Sequence, residues 1–164
     1  MKIRAAKQED LQELLSLFIE YNTFLWTLES KKESFFKEPK KQYQKYILKS
    51  LQEMIRSKKQ KILVAKTEGK IIGSVSGWVN KYENSLFEDD CRIGTLGYLI
   101  VKKEFQKKGI STELKNRLFE WFKKKNCEFV NLEVSNKNPA KQIYERWGFE
   151  KYSEKMKIPL DKKQ

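Results

Sequence analysis

The feature that most constrains this chain is one change of apolar period between Leu96 and Phe122. Leu96 to Val101 is an apolar run of strand length, whereas Ile110, Leu114, Leu118 and Phe122 recur every four residues, with Trp121 beside them. A strand therefore feeds a helix through a short basic turn, Gln106-Lys107-Lys108-Gly109-Ile110-Ser111. The first amides of a helix lack intrahelical partners and carry the positive end of its dipole. Gly109 lets backbone approach a ligand closely, and Lys107 and Lys108 add charge. In outline this is a phosphate cradle. A turn of this composition is by itself more often only a turn, so the rest of the chain has to decide.

The remaining sequence reads as alternating strands and helices. Lys2 to Ala5 is a short edge strand. Asp10 is positioned to cap a first helix whose apolar face is Leu11, Leu14, Leu15 and Phe18. Tyr21, Phe24, Trp26, Phe35 and Phe36 then crowd into polar sequence, either packing a helix–loop–helix onto the core or lining an acceptor pocket. Pro39 is placed at the first turn of a second helix running through Tyr43, Ile47, Leu51 and Ile55. Lys61 to Thr67, a Glu68-Gly69 turn and Ile71 to Val79 form a hairpin. Gly73 and Gly77 lie inside its second strand, which implies a bulge or a close neighbour. Tyr82 to Cys91 is an acidic loop containing Glu88, Asp89 and Asp90, and Arg92 to Val101 is the strand that feeds the turn.

Beyond the central helix, Asn126 is the expected C-cap and Phe129 to Ser135 a strand. Asn138 and Pro139 are an N-cap and first-turn pair for a short helix that stops at Gly148. Strands are expected over Phe149 to Ser153 and Lys155 to Leu160. The order β-α-α-β-β-β-α-β-α-β-β describes a single domain over residues 1–164, of mixed α+β class, with a twisted mixed sheet and helices on both faces. The strands on either side of the central helix should be parallel.

Composition removes several classes of chemistry. The chain has 164 residues, no His and two Cys, so a His-based triad and a Cys/His zinc site are excluded, and no metal is expected. No apolar run has the length of a membrane span, the N-terminus has no signal-peptide core, and the two Cys fit a reducing cytoplasm. A net charge of +13 calls for an anionic ligand, a nucleic-acid partner or a simple solubility role. Lys102 to Asn126 alone holds nine Lys/Arg against three Glu. Neither the G-x-G-x-x-G dinucleotide fingerprint nor the Walker phosphate loop is present.

The order of short motifs from Leu99 to Phe149 resembles the core of the GNAT superfamily of acetyl-CoA-dependent N-acetyltransferases. The pieces are Leu99-Ile100-Val101, Gln106-Lys107-Lys108-Gly109-Ile110-Ser111, Leu132-Glu133-Val134, Asn138-Pro139-Ala140 and Tyr144-Glu145-Arg146-Trp147-Gly148-Phe149. The resemblance implies acetyl-CoA as cosubstrate, its pantetheine arm paired with backbone of Leu99, Ile100 and Val101 as an added strand. It implies a pyrophosphate held at Gln106, Lys107, Lys108, Gly109, Ile110, Ser111 and Thr112, with Asn138 bonding the arm or capping its helix. Tyr144 would act as general acid toward the leaving thiolate.

For the base, the positions where many family members carry a carboxylate are Thr95 and Gly97, which cannot serve. Glu133 is the remaining motif candidate, and Glu88 to Asp90 could act through water. With no His and no Cys near these motifs, direct attack by an amine is expected rather than an acetyl-enzyme. The acceptor is an amine on a small molecule or a protein; the oligomeric state is open, a dimer included. The rivals are a basic RNA- or ribosome-associated protein on the same fold, which is not favoured, and an acetyl-CoA sensor without turnover.

Overall fold

Alternation in the strands decides which layer each residue joins. In the computed structural model, which describes residues 1–28, 43–82 and 91–156, five strands form one sheet in the order β1-β2-β3-β4-β5. They are β1 (Lys2–Ala5), β2 (Gln60–Thr67), β3 (Lys70–Tyr82), β4 (Cys91–Val101) and β5 (Phe129–Asn131). The helices are α1 (Leu11–Leu28), α2 (Gln44–Arg56), α3 (Ile110–Lys124) and α4 (Lys141–Arg146). β1 to β4 pair antiparallel, and β5 joins β4 in parallel, as the connection through α3 requires. Glu68 and Gly69 both take positive φ, 49° and 77°, the turn whose twist matches a two-residue hairpin.

Two apolar layers result. Ile110, Leu114, Leu118 and Phe122 of α3 pack on Leu63, Ala65, Ile72, Val75 and Leu96. On the other face Leu14, Leu17 and Leu51 of α1 and α2 pack on Ile62, Val64, Ile71, Tyr98 and Ile100. Gly77 and Gly94 are the places where Phe122 approaches the sheet: an added Cβ would lie 2.6 Å and 2.7 Å from its ring. The close neighbour expected at Gly77 is therefore this ring, while a Cβ added at Gly73 would lie 2.9 Å from the Ile100 carbonyl oxygen.

The ends of several elements differ from the sequence reading, each for a local reason. Asp10 closes a 3-10 turn (Gln8–Asp10) ahead of α1 rather than capping α1 from outside, and its carboxylate accepts from the Lys7 amide at 2.8 Å. It is fully buried, and it also accepts from Arg4 at 2.6 and 3.0 Å and Lys66 at 3.1 Å. α3 ends one residue early, with Lys125 as cap and Asn126 at φ 56° after it. The Asn126 and Cys127 amides return to the Lys123 and Phe122 carbonyls, closing the end in a Schellman arrangement. β5 stops at Asn131 instead of continuing to Ser135.

Asn138 does not cap α4 directly. Its Oδ1 accepts from the Ala140 amide at 2.9 Å, and Ala140 precedes the first helical residue. Phe149 to Met156 carries no strand: Tyr152 and Met156 are largely exposed and no ladder reaches them among the described residues. Pro39, Phe35, Phe36, Glu88, Asp89 and Asp90, and the last strand beyond Met156, lie outside the described residues.

Candidate active site

The site begins with a fault in the β3–β4 ladder. Val75 pairs with Leu99 and Gly77 with Leu96, so two steps along β3 face three along β4. Gly97 and Tyr98 together oppose Ser76, which is a β-bulge. The bulge follows from the apolar pattern. Leu96 belongs to the α3 layer and so does Leu99, three residues on, which an unbroken strand would send to the other face. Below the bulge β4 still pairs with β5, up to Thr95 opposite Asn131; above it no strand pairs with that edge among the described residues.

Which groups the open edge presents can be read from the alternation of antiparallel bonds. The Lys102 amide donates to the Ile72 carbonyl at 2.9 Å, so in this register Ile100 bonds toward β3 while Leu99 and Val101 turn N–H and C=O outward. Leu99, together with the N–H of Val101, is therefore available to an added strand; the Val101 carbonyl is taken by Gln106. Ile100, grouped with them in the sequence reading, is not: its backbone faces β3 and its side chain lies in the α1/α2 layer.

Val101 leads directly into the basic turn. Gln106 Nε2 donates to the Val101 carbonyl at 2.9 Å, folding the turn back on the strand instead of reaching outward. Lys107 at φ 59° and Gly109 at φ 76° both take left-handed backbone, and Gly109 stands as N-cap of α3 without a side-chain cap. The leading amides at Ile110, Ser111 and Thr112 are thus left for an outside acceptor. A Cβ at Gly109 would meet nothing within 4 Å, so the space beside this turn is open. Ile110 itself is anchored in the core, and Lys107 and Lys108 are exposed beside the turn.

At the other end of the open edge lies a cavity of about 50 Å³ between β4 and the chain that follows β5. Tyr21 and Leu25 of α1 face Gly97, Asn138 and Tyr144 across it. Tyr144 is placed by the end of α4. Gly148 at φ 87° lets the Phe149 amide return to the Tyr144 carbonyl at 3.1 Å, which sets the Phe149 ring 6.0 Å from that of Tyr144. Trp147 meets Tyr144 from another side at 5.8 Å, and Lys115 Nζ of α3 sits 5.3 Å from Trp147 and 5.1 Å from Phe119. Phe119 in turn contacts Phe149, so these five side chains form a closed ring of contacts joining α3 to α4.

Burial, with the nearby Tyr21 phenol adding to it, pushes the Tyr144 hydroxyl up to about 12, so it is a proton-bearing donor at neutral pH. That hydroxyl has no hydrogen-bond partner among the described residues. Asn138 is 8% exposed, with its Oδ1 committed to the turn and its Nδ2 free of partners among the described residues. Glu133 is in the cavity wall, but its carboxylate is 77% exposed and accepts from Lys155, so it does not meet Tyr144. Thr95 Oγ1 is held between Asn80 Nδ2 at 3.0 Å and Asn131 Oδ1 at 2.8 Å. Tyr21 was visible in sequence only as one of many aromatics; its spacing from Leu14 and Phe18 is that of a core face.

No curated protein matches the chain. Among solved structures, a single-substitution variant of the BH1408 protein from Bacillus halodurans is similar at TM-score 0.85 and 20% identity, covering 98% of this chain and 99% of that one. The aminoglycoside antibiotic 6'-N-acetyltransferase AAC(6')-IG from Acinetobacter haemolyticus gives 0.72 at 17% identity, covering 98% and 99%. An aminoglycoside N-acetyltransferase, AAC(6')-Iy in complex with CoA, gives 0.71 at 18%, covering 98% and 94%. At these identities the likeness is one of fold. The profile of the Acetyltransferase (GNAT) family matches residues 11–149, and the chain belongs to that family.

Proposed function

We infer that the protein transfers the acetyl group of acetyl-CoA to an amine by direct attack on the thioester. The observation that carries this reading is continuity: an open strand edge at Leu99 and Val101 runs at one end into uncapped helix amides and at the other into a cleft that Tyr144 lines. The amides of Ile110, Ser111 and Thr112, with Lys107 and Lys108 beside them, suit a pyrophosphate. Gln106 shapes that turn by holding the Val101 carbonyl. The outward N–H and C=O of Leu99 and the N–H of Val101 suit the amides of a pantetheine arm. The free Nδ2 of Asn138 is a further donor to it.

The reaction divides among these residues. The outward Leu99 N–H can polarise a thioester carbonyl laid along the edge. The amine nitrogen bonds to the carbonyl carbon as the C–S bond breaks, and Tyr144 donates its hydroxyl proton toward the departing thiolate. The attacking nitrogen must also lose a proton. Glu133, turned to solvent and held by Lys155, receives it only through water, so the acceptor has to reach the cleft as a neutral amine.

The test is acetyl-CoA binding by calorimetry, followed by thiol release with a panel of kanamycin, spermidine, a lysine-containing peptide and a peptide with a free N-terminus. Binding with release and an acetylated product supports the reading. Binding without release on any amine would make the protein a sensor, and no binding would overturn the assignment.

A further inference from the structure

We propose that Ser76 is a positioning residue for the donor thioester, through the bulge in β4 that opens the strand edge; this rests on the acetyl-CoA reading above. A bulge leaves one residue of the longer strand without a ladder partner, and here the buried Tyr98 amide faces that loss. Its proton goes to Ser76 Oγ at 3.2 Å, a side-chain oxygen standing in for a backbone carbonyl. Ser76 is almost fully buried, so no water can substitute for the hydroxyl without displacing its neighbours.

The opposite side of the bulge is equally constrained. A Cβ on Gly97 would lie 2.7 Å from Ser76 Oγ and 2.5 Å from a ring carbon of Trp78. Ser76 and Trp78 therefore press on Gly97 while Ser76 holds Tyr98, and the two contacts together fix the extra residue at this point of β4. The position matters because the residue immediately after Tyr98 is Leu99, whose outward N–H and C=O begin the open edge. Moving the bulge by one residue would exchange the outward and inward sets of backbone groups.

Ser74 supplies an internal comparison. It is equally buried on the same face of β3, and its hydroxyl bonds the Leu63 carbonyl at 2.9 Å and the Tyr98 phenol at 3.2 Å without touching the bulge amide. The experiment measures acetyl-CoA dissociation constants and thermal midpoints for the wild type, Ser76→Ala and Ser74→Ala, with hydrogen exchange of the Tyr98 amide followed by NMR. Expected are binding weakened about 5-fold in Ser76→Ala, the size of one misplaced backbone hydrogen bond, faster Tyr98 exchange, and wild-type affinity in Ser74→Ala despite a lowered midpoint. If the wild type binds and folded Ser76→Ala binds equally well, or if both variants weaken binding alike, the positioning role is overturned. Failure of the wild type to bind instead removes the acetyl-CoA reading itself.

Discussion

Replacing Tyr144 by Phe isolates one hydroxyl, and the structure sets how much it can contribute. The phenyl ring keeps its contacts with Trp147 at 5.8 Å and Phe149 at 6.0 Å, and the hydroxyl leaves no orphaned partner among the described residues. Fold and acetyl-CoA affinity should therefore change little. The catalytic effect follows from proton affinities. Burial pushes the Tyr144 phenol up to about 12, against about 8.5 for an ordinary thiol, so full proton transfer to the thiolate is uphill by roughly 5 kcal/mol. The hydroxyl then acts mainly as a hydrogen-bond donor to developing charge, worth about 1.5–3 kcal/mol. That corresponds to a loss of about 10- to 150-fold in kcat, well short of the ~10⁴ at the upper end of general acid catalysis. The assay is steady-state thiol release at saturating acetyl-CoA on the best amine of the panel, with the pH dependence of kcat. No falling limb from Tyr144 is expected below about pH 10. An unchanged kcat would refute the placement of the donor, and a ~10⁴-fold fall would refute the proton-affinity argument.

Other outcomes follow from the same packing and charge pairs. Lys115→Met removes the cation between Phe119 and Trp147 and should lower kcat about 3- to 10-fold with an unchanged KM for acetyl-CoA, the range of one or two cation–π contacts. Lys115→Arg should restore it, whereas a rise in KM alone would mean that Lys115 meets the phosphates. Gly109→Ala forces a Cβ onto left-handed backbone at a cost of about 1–2 kcal/mol; CoA affinity by calorimetry should fall, and undiminished binding would count against the cradle. Asp10→Asn leaves Arg4 and Lys66 facing a neutral group and should cost about 3–5 kcal/mol, lowering Tm by roughly 6–20 °C in a chain of this size. Burial alone would raise the Asp10 carboxyl, but hydrogen bonds from Arg4, the Lys7 amide and Lys66 hold it well below the ordinary range. Its contribution is therefore complete above about pH 4, the unfolded value, and is lost as pH falls further. Glu13, likewise lowered against its burial by the Ile71 amide and Lys66, adds to that loss. Thermal scans from pH 6 to 2 should show the decline, and a flat profile would contradict it.

The parts legible in sequence are those encoded locally. The four-residue period of α3, the Gly109 turn and the parallel pairing across them needed only neighbouring residues, and so did the Gly148 stop that orients Tyr144. The length of β5 did not follow from its alternation. Val130, Leu132 and Val134 alternate correctly, yet pairing stops at Asn131 because β4 bulges away, and alternation reports a face rather than the presence of a neighbouring strand. The bulge left one trace, Leu96 and Leu99 three apart on one face, alongside Gly97. The Lys66–Asp10 pair joins residues far apart in the chain, and lysine-rich composition hides it. Glu133 stood at the motif spacing of a base, but Lys155 lies where no spacing rule reaches.

The two walls of the cleft come from different scales of the chain. In the acetyl-transfer reading proposed above, the edge and cradle form the donor side and belong to one contiguous stretch, Leu99 to Thr112, built on a single strand and the helix after it. The facing wall is pieced together from α1, which supplies Tyr21 and Leu25, from the chain after β5, and from α4. Ile100 shares the α1/α2 layer with Leu14 and Leu17, so it is substitutions confined to Tyr21 and Leu25 that can recut the facing wall while leaving the outward groups of Leu99 and the amides of α3 in place. Descendants of such a chain can change what they modify while inheriting intact the means of holding what they modify it with.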